Sequence, residues 1–375
     1  MKKKVLILYA AYGGGHLSAA NSIKQCIDEH YKDYNAEVID FMHYINKTIN
    51  KLTTGAYKEM ARKFPWAWGA IYGKTEKGPF AKLSSSTFNL LSKRLLDLFE
   101  EKKPDIIIST HPFAGQMIGY LKKKALIDIP LSTVMTDFAP YEQWLIGHEY
   151  TDCFFVAHRG MKESLIEKGI DKEKVFDTGI PLSNRFLMHF DRKKLLEEFN
   201  LDKDKRTILF FGGGEFGLGK SKTLKILKAF ISYGKNIQIV AIAGRNEKLK
   251  EKFEEIIKEE NAENFVQVLG FSNKVPELMS ISNLVVTKPG GLTVTESLAS
   301  GLPIVVINPI PGQEEQNAEF LEESGVAIWI RKKDDPNIEI KNLLSNPKKL
   351  DKMKLNTKLL AKKKSTLNIC KKILE

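Results

Sequence analysis

Cysteine is scarce. The 375 residues hold three, Cys26, Cys153 and Cys370, far apart and in no CxxC pair. That excludes a disulfide-stapled scaffold and a thiolate metal site, and fits reduced thiols in a cytoplasmic protein. Long apolar runs are lacking too. The nearest, residues 106–121, is broken by Thr110, His111, Pro112 and Gly115, so it falls short of the ~20 apolar residues of a membrane span. The apolar residues 5–10 after Lys2, Lys3 and Lys4 run straight into glycine with no cleavage site, which argues for a buried strand rather than a signal peptide. No short-period repeat is visible. Nor is any RNA- or DNA-binding motif, so nucleic acid is not an expected partner.

A hydrophobic share of 43% excludes a disordered chain and is enough for two ordinary domains. The net charge of +12 is concentrated in two places. Residues 47–94 carry ten basic side chains against Glu59 and Glu76, and residues 345–375 carry ten lysines against Asp351 and Glu375. The remainder of the chain is slightly acidic, so the protein has two basic regions rather than a basic character throughout.

Short β-branched runs alternate with helical patterns. Strands are expected at residues 5–9, 36–39, 105–109, 131–135, 153–156 and 175–177, and again at 207–211, 237–242, 265–269, 284–287, 304–307 and 327–330. Between the first two, Ala19, Ala20, Ile23, Cys26 and Ile27 recur at helical spacing. Almost wholly apolar strands separated by helices imply parallel sheets covered on both faces. Each series begins with a strand and a glycine loop. The expectation is an α/β protein of two doubly wound, Rossmann-like domains, residues 1–185 and 186–354, with the ligand in a cleft between them.

Three segments could carry chemistry. The first is Ala11-Tyr12-Gly13-Gly14-Gly15-His16, a strand-to-helix turn. Glycines let the backbone approach a ligand, and the helix N-terminus should hold His16 neutral and able to take a proton; the same pattern also serves a tight turn whose histidine only packs. The second, Gly214 to Ser221, fits the phosphate-loop pattern GxxxxGK(S/T) with Lys220 as its cation, the signature of a nucleoside triphosphatase. Against it, no apolar strand ends in an acidic magnesium partner, and glycine N–H groups at Gly213 and Gly214 would hold a diphosphate without Lys220. The third runs from Thr287-Lys288-Pro289-Gly290-Gly291-Leu292-Thr293 through Glu296 to Gly301, then to Pro311-Gly312-Gln313-Glu314-Glu315-Gln316-Asn317. It offers a helix N-terminus, a carboxylate suited to sugar hydroxyls and a turn dense in hydrogen-bonding groups.

These last motifs, PGGLTVTESLASGLP and PGQEEQNA, resemble the donor-binding half of glycosyltransferase family 28. GGGH, STHP at 109–112, TDF at 136–138 and TGIP at 178–181 are similar to its diacylglycerol branch, and the resemblance spans nearly the whole chain. It implies a GT-B fold, a UDP-sugar donor, a diacylglycerol acceptor, inversion at the anomeric carbon and no obligatory metal or other cofactor. By that resemblance Glu296 holds the ribose, while Gly290, Gly291, Leu292 and Thr293 face the diphosphate opposite Gly213 and Gly214. Phe271 flanks the uracil, and Gln313, Glu314 and Asn317 contact the sugar. His16 is the base or orients the acceptor, beside Gly14 and Gly15. Asp137 is a second candidate base or a turn cap. Relatives often carry a histidine shortly after TDF; this chain has Pro140-Tyr141-Glu142 instead. The turn sequence favours glucose over galactose, with GlcNAc transfer to a polyprenyl acceptor a further alternative, and the resemblance includes enzymes that add more than one sugar. A non-catalytic UDP-sugar-binding module is the alternative of another class.

The basic–aromatic stretch of Arg62, Lys63, Phe64, Trp66, Trp68 and Tyr72 suits an anionic membrane surface, although the same aromatics could fill a core. Peripheral attachment at the cytoplasmic face is the expected location. The lysine-rich tail reads as a solvated helix face, and the family architecture sends a last helix, about residues 355–375, back across the N-terminal domain.

Overall fold

The computed structural model describes residues 2–11, 14–45, 85–213, 220–234 and 236–375. The chain divides into two compact units. The first takes the described residues up to Ser183 together with Lys362–Glu375; the second is Asn184–Ala361. The seam thus lies two residues before the expected 185/186 boundary.

The first unit runs β1 (Lys3–Tyr9), α1 (Gly14–His30), β2 (Tyr34–Asp40), α2 (Phe41–Ile45), α3 (Ser85–Lys102), β3 (Ile106–Ser109), α4 (Pro112–Lys123), β4 (Leu131–Val134), β5 (Cys153–Phe155), α5 (Arg159–Glu167) and β6 (Val175–Phe176). Its six strands lie in the order β2-β1-β3-β4-β5-β6, all parallel. Strand alternation divides the core: Leu6, Leu8 and Ile107 join α3 and α4 on one face, while Val5, Ile7 and Ile108 join α1 on the other.

The second unit runs α6 (Arg192–Glu198), β7 (Arg206–Phe211), α7 (Lys220–Tyr233), β8 (Ile237–Ile242), α8 (Glu247–Glu259), β9 (Val266–Leu269), α9 (Val275–Ile281), β10 (Leu284–Thr287), α10 (Gly291–Ala299), β11 (Ile304–Val306), α11 (Gln313–Glu323), β12 (Ala327–Trp329), α12 (Pro336–Leu344) and α13 (Pro347–Leu360). The strand order is β12-β11-β10-β7-β8-β9, again all parallel. Phe210, fully buried, meets Phe230 and Phe253 edge-on at 6.3 and 5.9 Å between centroids. Each such side chain contributes about 1.5–3 kcal/mol by its burial alone.

The tail does not form one returning helix. Met353 and Thr357 bury one side of α13 in the second unit, and Asn356 donates to the Gly325 carbonyl at 3.1 Å. After residues 361–364 a separate helix, α14 (Ser365–Leu374), joins the first unit. Ile369 and Cys370 enter the α1-side core, and the Thr366 hydroxyl bonds both the N–H and the carbonyl of Leu182 at 2.8 Å. No glycine or proline marks the break, so it carries no helix stop signal.

Among the described residues, no helix is long and apolar enough to cross a membrane. None of His, Cys, Asp and Glu gather there in groups of three or more able to hold a metal.

Candidate functional site

In a doubly wound sheet, ligands gather beyond the strands' carboxyl ends where the winding reverses direction. In the first unit that point lies between β1 and β3, and both loops bring histidines to it. His16 stands in the first turn of α1, and its Nδ1 lies 2.6 Å from the Thr110 carbonyl oxygen. A carbonyl can only accept, so Nδ1 carries the proton and Nε2 is left with its lone pair. The Thr136 hydroxyl, 3.1 Å from the same nitrogen, shares that N–H as a second acceptor. Thr110 also donates its own hydroxyl to the His16 carbonyl at 3.0 Å, so ring and backbone are both fixed by one residue.

Desolvation lowers the His16 pKa to about 4, against a smaller opposing effect from the Thr110 bond. Burial, rather than the expected helix terminus, is the main cause of its neutrality. His111 packs edge-on to His16 with centroids 4.5 Å apart, and its pKa is also well below the ordinary value, through burial and then the neighbouring His16. Its Nδ1 accepts from the Phe113 N–H at 3.2 Å and caps α4. The two rings are therefore held in opposite tautomers, both neutral.

Asp137, 4% exposed, accepts from the Trp144 indole N–H at 3.0 Å. The Trp144 ring in turn lies 6.4 Å from that of His16. The structure thus puts both candidate bases in one cluster, with the indole bonded to the carboxylate and facing the imidazole. Gly14 and Gly15 open α1 beside them.

In the second unit the winding reverses between β7 and β10. After β7 the chain passes so close to α8 that a Cβ on Gly212 would fall 2.6 Å from Leu249 and 2.7 Å from Phe253. Gly213 follows with φ +91°, and a side chain there would approach Lys288 Cε at 3.5 Å. The first glycine turn and the Lys288 side chain are therefore neighbours. Gly290 is the N-cap of α10 and supplies no side-chain cap, so the amides of Gly291, Leu292 and Thr293 begin the helix open to an anion. The Thr295 hydroxyl donates to the Gly291 carbonyl at 2.8 Å and steadies that turn.

Three charged groups surround it. Lys288 is desolvated, which lowers its pKa, while the Glu314 carboxylate opposes the shift. Glu314 accepts from the Ile310 N–H at 2.6 Å and lies near Gly290, whose added Cβ would be 3.8 Å from Oε1. Glu296 has no hydrogen-bonding or ion-pair partner among the described residues, and burial raises its pKa to about 8. Asn317 is fully buried and donates to the Pro289 carbonyl at 3.1 Å, so it pins the turn from beneath. Gln313 opens α11. Phe271, 66% exposed beyond β9, has the Arg245 guanidinium 4.7 Å from its ring centre.

Gly214, the 214–219 part of the phosphate-loop match, and Arg62, Lys63, Phe64, Trp66, Trp68 and Tyr72 lie outside the described residues. Sequence reasoning passed over Lys288, Thr110, Thr136, Trp144 and Arg245. Lys288 stood inside a quoted motif but drew notice only because it is not acidic.

The sequence model for monogalactosyldiacylglycerol (MGDG) synthase matches residues 16–182, and that for glycosyl transferases group 1 matches residues 191–360. A processive diacylglycerol β-glucosyltransferase of Bacillus licheniformis is 32% identical, covering 100% of this chain and 95% of its own. That of Bacillus subtilis is 31% identical, covering 95% and 91%. Among solved structures, Acinetobacter baumannii MurG superposes with a TM-score of 0.68 at 16% identity over 99% of both chains. The Staphylococcus aureus MnaA–UDP structure gives 0.67 at 14% over 98% and 95%, and Anabaena HepE with UDP and glucose gives 0.58 at 14% over 99% of both. These likenesses establish the fold as GT-B. Identity sustained over the full length adds the family: the chain belongs with the processive diacylglycerol β-glucosyltransferases, in the diacylglycerol branch of glycosyltransferase family 28.

Proposed function

We propose that the protein transfers glucose from UDP-glucose to the free hydroxyl of diacylglycerol at a membrane surface, with inversion at the anomeric carbon, and extends the product by further glucosyl transfer. The observation that carries the reading is the second unit's socket: an uncapped α10 N-terminus that follows Lys288, whose side chain lies beside Gly213, with Glu296 further along the same helix and without a partner among the described residues. It supplies N–H groups and a cation for a diphosphate and an acceptor for ribose hydroxyls. The relatives' names supply the sugar and the lipid. The solved UDP complexes of like fold agree with a uridine nucleotide.

In this mechanism Lys288 and the α10 amides stabilise negative charge as UDP departs. That is the work a divalent ion would otherwise do, so no obligatory metal is proposed. Glu296 accepts from the ribose, Phe271 and Arg245 flank the uracil, and Gln313 and Glu314 face the sugar. Asn317 acts through the turn it holds. In the first unit, the acceptor hydroxyl gives its proton to His16 Nε2 as its oxygen bonds the anomeric carbon and the bond from that carbon to the UDP oxygen breaks. A base with a pKa of about 4 takes the proton late, once the forming bond has made the hydroxyl strongly acidic. Asp137, bonded to Trp144, holds the wall of the acceptor site.

The MGDG synthase match covers residues 16–182 only. That stretch excludes the donor socket, so it does not favour galactose. The full-length match to the family also leaves the literal GxxxxGK(S/T) string without a nucleoside triphosphatase around it. The test is UDP release with UDP-glucose, UDP-galactose and UDP-GlcNAc in turn over diacylglycerol vesicles, with the lipid product identified. Tight UDP binding without transfer to any lipid would turn the reading to that of a binding module. Attachment to the cytoplasmic face of an anionic membrane through the 62–72 segment is part of the same proposal.

A further inference from the structure

The lysine-rich α13 is more than a solvated face. Its buried residues are Met353 and Thr357, and the helix packs on α10, the helix that begins the donor socket. The opposite side carries Lys348, Lys352, Leu355 and Leu359, which a spacing of four, three and four sets in one stripe. All four are exposed, Leu355 at 58% and Leu359 at 76%. The two leucines, one turn apart, form a small apolar surface between the lysines.

The charge around that surface says what it meets. Lys348, Lys349, Lys352, Lys354 and Lys358 have no ion-pair partner among the described residues, and Asp351 is the helix's one acid. Exposed Lys363 and Lys364 follow directly, while Lys362 pairs with Asp177 at 3.2 Å. An apolar stripe bordered by unpaired cations matches an anionic bilayer surface, where leucines enter the boundary of the acyl chains and lysines meet lipid phosphates. We propose that the α13 face formed by Lys348, Lys352, Leu355 and Leu359 docks the second unit onto anionic membrane lipid. The choice of a bilayer over another polyanion rests on the diacylglycerol acceptor proposed above; the surface itself does not. Docking there would rest the donor-site helix, through α13, on the membrane that holds the acceptor.

The experiment compares full-length protein with L355Q/L359Q and K348E/K352E, in sedimentation with phosphatidylcholine vesicles made with and without phosphatidylglycerol. No sugar nucleotide is present, so failure of the transferase reading would not disturb the result. Glutamine keeps helix propensity, and circular dichroism with an unchanged thermal unfolding midpoint verifies that each variant is folded. L355Q/L359Q should lose about tenfold in vesicle partitioning, and K348E/K352E should lose the part that depends on phosphatidylglycerol. Partitioning of L355Q/L359Q equal to that of the unaltered protein would overturn the proposal. So would a variant that changes only the oligomeric state in light scattering, which would give the face to a second copy of the chain.

Discussion

His16 and Thr110 hold each other twice: the imidazole Nδ1–H donates to the Thr110 carbonyl at 2.6 Å, and the Thr110 hydroxyl donates to the His16 carbonyl at 3.0 Å. This reciprocal clasp between the loop after β1 and the loop after β3 fixes the tautomer, and so decides which nitrogen can take a proton. His16→Ala should lower kcat by roughly 100- to 10,000-fold, the range of general-base catalysis, and leave UDP affinity unchanged. A calorimetric UDP titration beside steady-state turnover checks both halves.

The same residue gives the acid limb of the pH profile. A base that ionises at about 4 instead of 6.5 remains neutral across ordinary assay pH. Turnover at saturating substrate should therefore not fall as pH drops from 7 to 5.5, where an ordinary histidine would already be protonating. Stability runs with it: between 6.5 and 4 the unfolded chain binds the proton the folded one refuses, so His16 costs stability progressively as pH falls through that window. His16→Gln should flatten this part of the unfolding midpoint against pH.

Glu296 has the opposite sign. Its folded pKa of about 8 lies above that of the unfolded chain, so its burial costs nothing at low pH and increasingly destabilises the fold as pH rises from 4.5 to 8. Glu296→Gln should raise the thermal midpoint at pH 8.5 and leave it unaltered at pH 4.5. Above pH 8, where the carboxylate is charged, Glu296→Ala should weaken both UDP and uridine by about 10- to 100-fold, the worth of hydrogen bonds to a charged acceptor. Loss of neither would remove the ribose role.

Lys288 separates diphosphate from nucleoside. Lys288→Met should weaken UDP binding by about 10- to 100-fold and leave uridine binding unaltered. Equal loss of both ligands would mean that the lysine only supports the turn. Removing free divalent ions with a chelator should leave transfer intact if the lysine and the α10 amides provide the positive field.

Gly212 tests the geometry that lets the first donor turn form. Alanine there would meet Leu249 and the fully buried Phe253, and should cost about 1–3 kcal/mol in denaturant unfolding, the range for overpacking.

The strands were legible because parallel strands buried on both faces are short unbroken apolar runs, and residues such as Val5 to Leu8 can be little else. The glycine turns were legible because a close backbone approach leaves few other residues possible. The partners of His16 were not. Thr110 lies 94 residues away and Thr136 120, and only the winding order of the sheet brings them to the end of β1. Lys288 was visible but mute, since a lysine's position in a strand-end loop does not reveal that it is half-buried beside Gly213. The division of the tail was hidden because no glycine or proline separates α13 from α14, and only their separate anchors, Met353 with Thr357 and Ile369 with Cys370, show two helices bound to two units.

The most direct measurement of the whole account is product formation from UDP-glucose and dioleoylglycerol vesicles, with UDP release and the glycolipid followed together. The account requires one UDP released per glucosyl bond formed, a β-linked glucosyl-diacylglycerol, and loss of both signals in His16→Ala and Lys288→Met. UDP release with no lipid product, or no turnover with UDP-glucose while another sugar nucleotide is consumed, would contradict it.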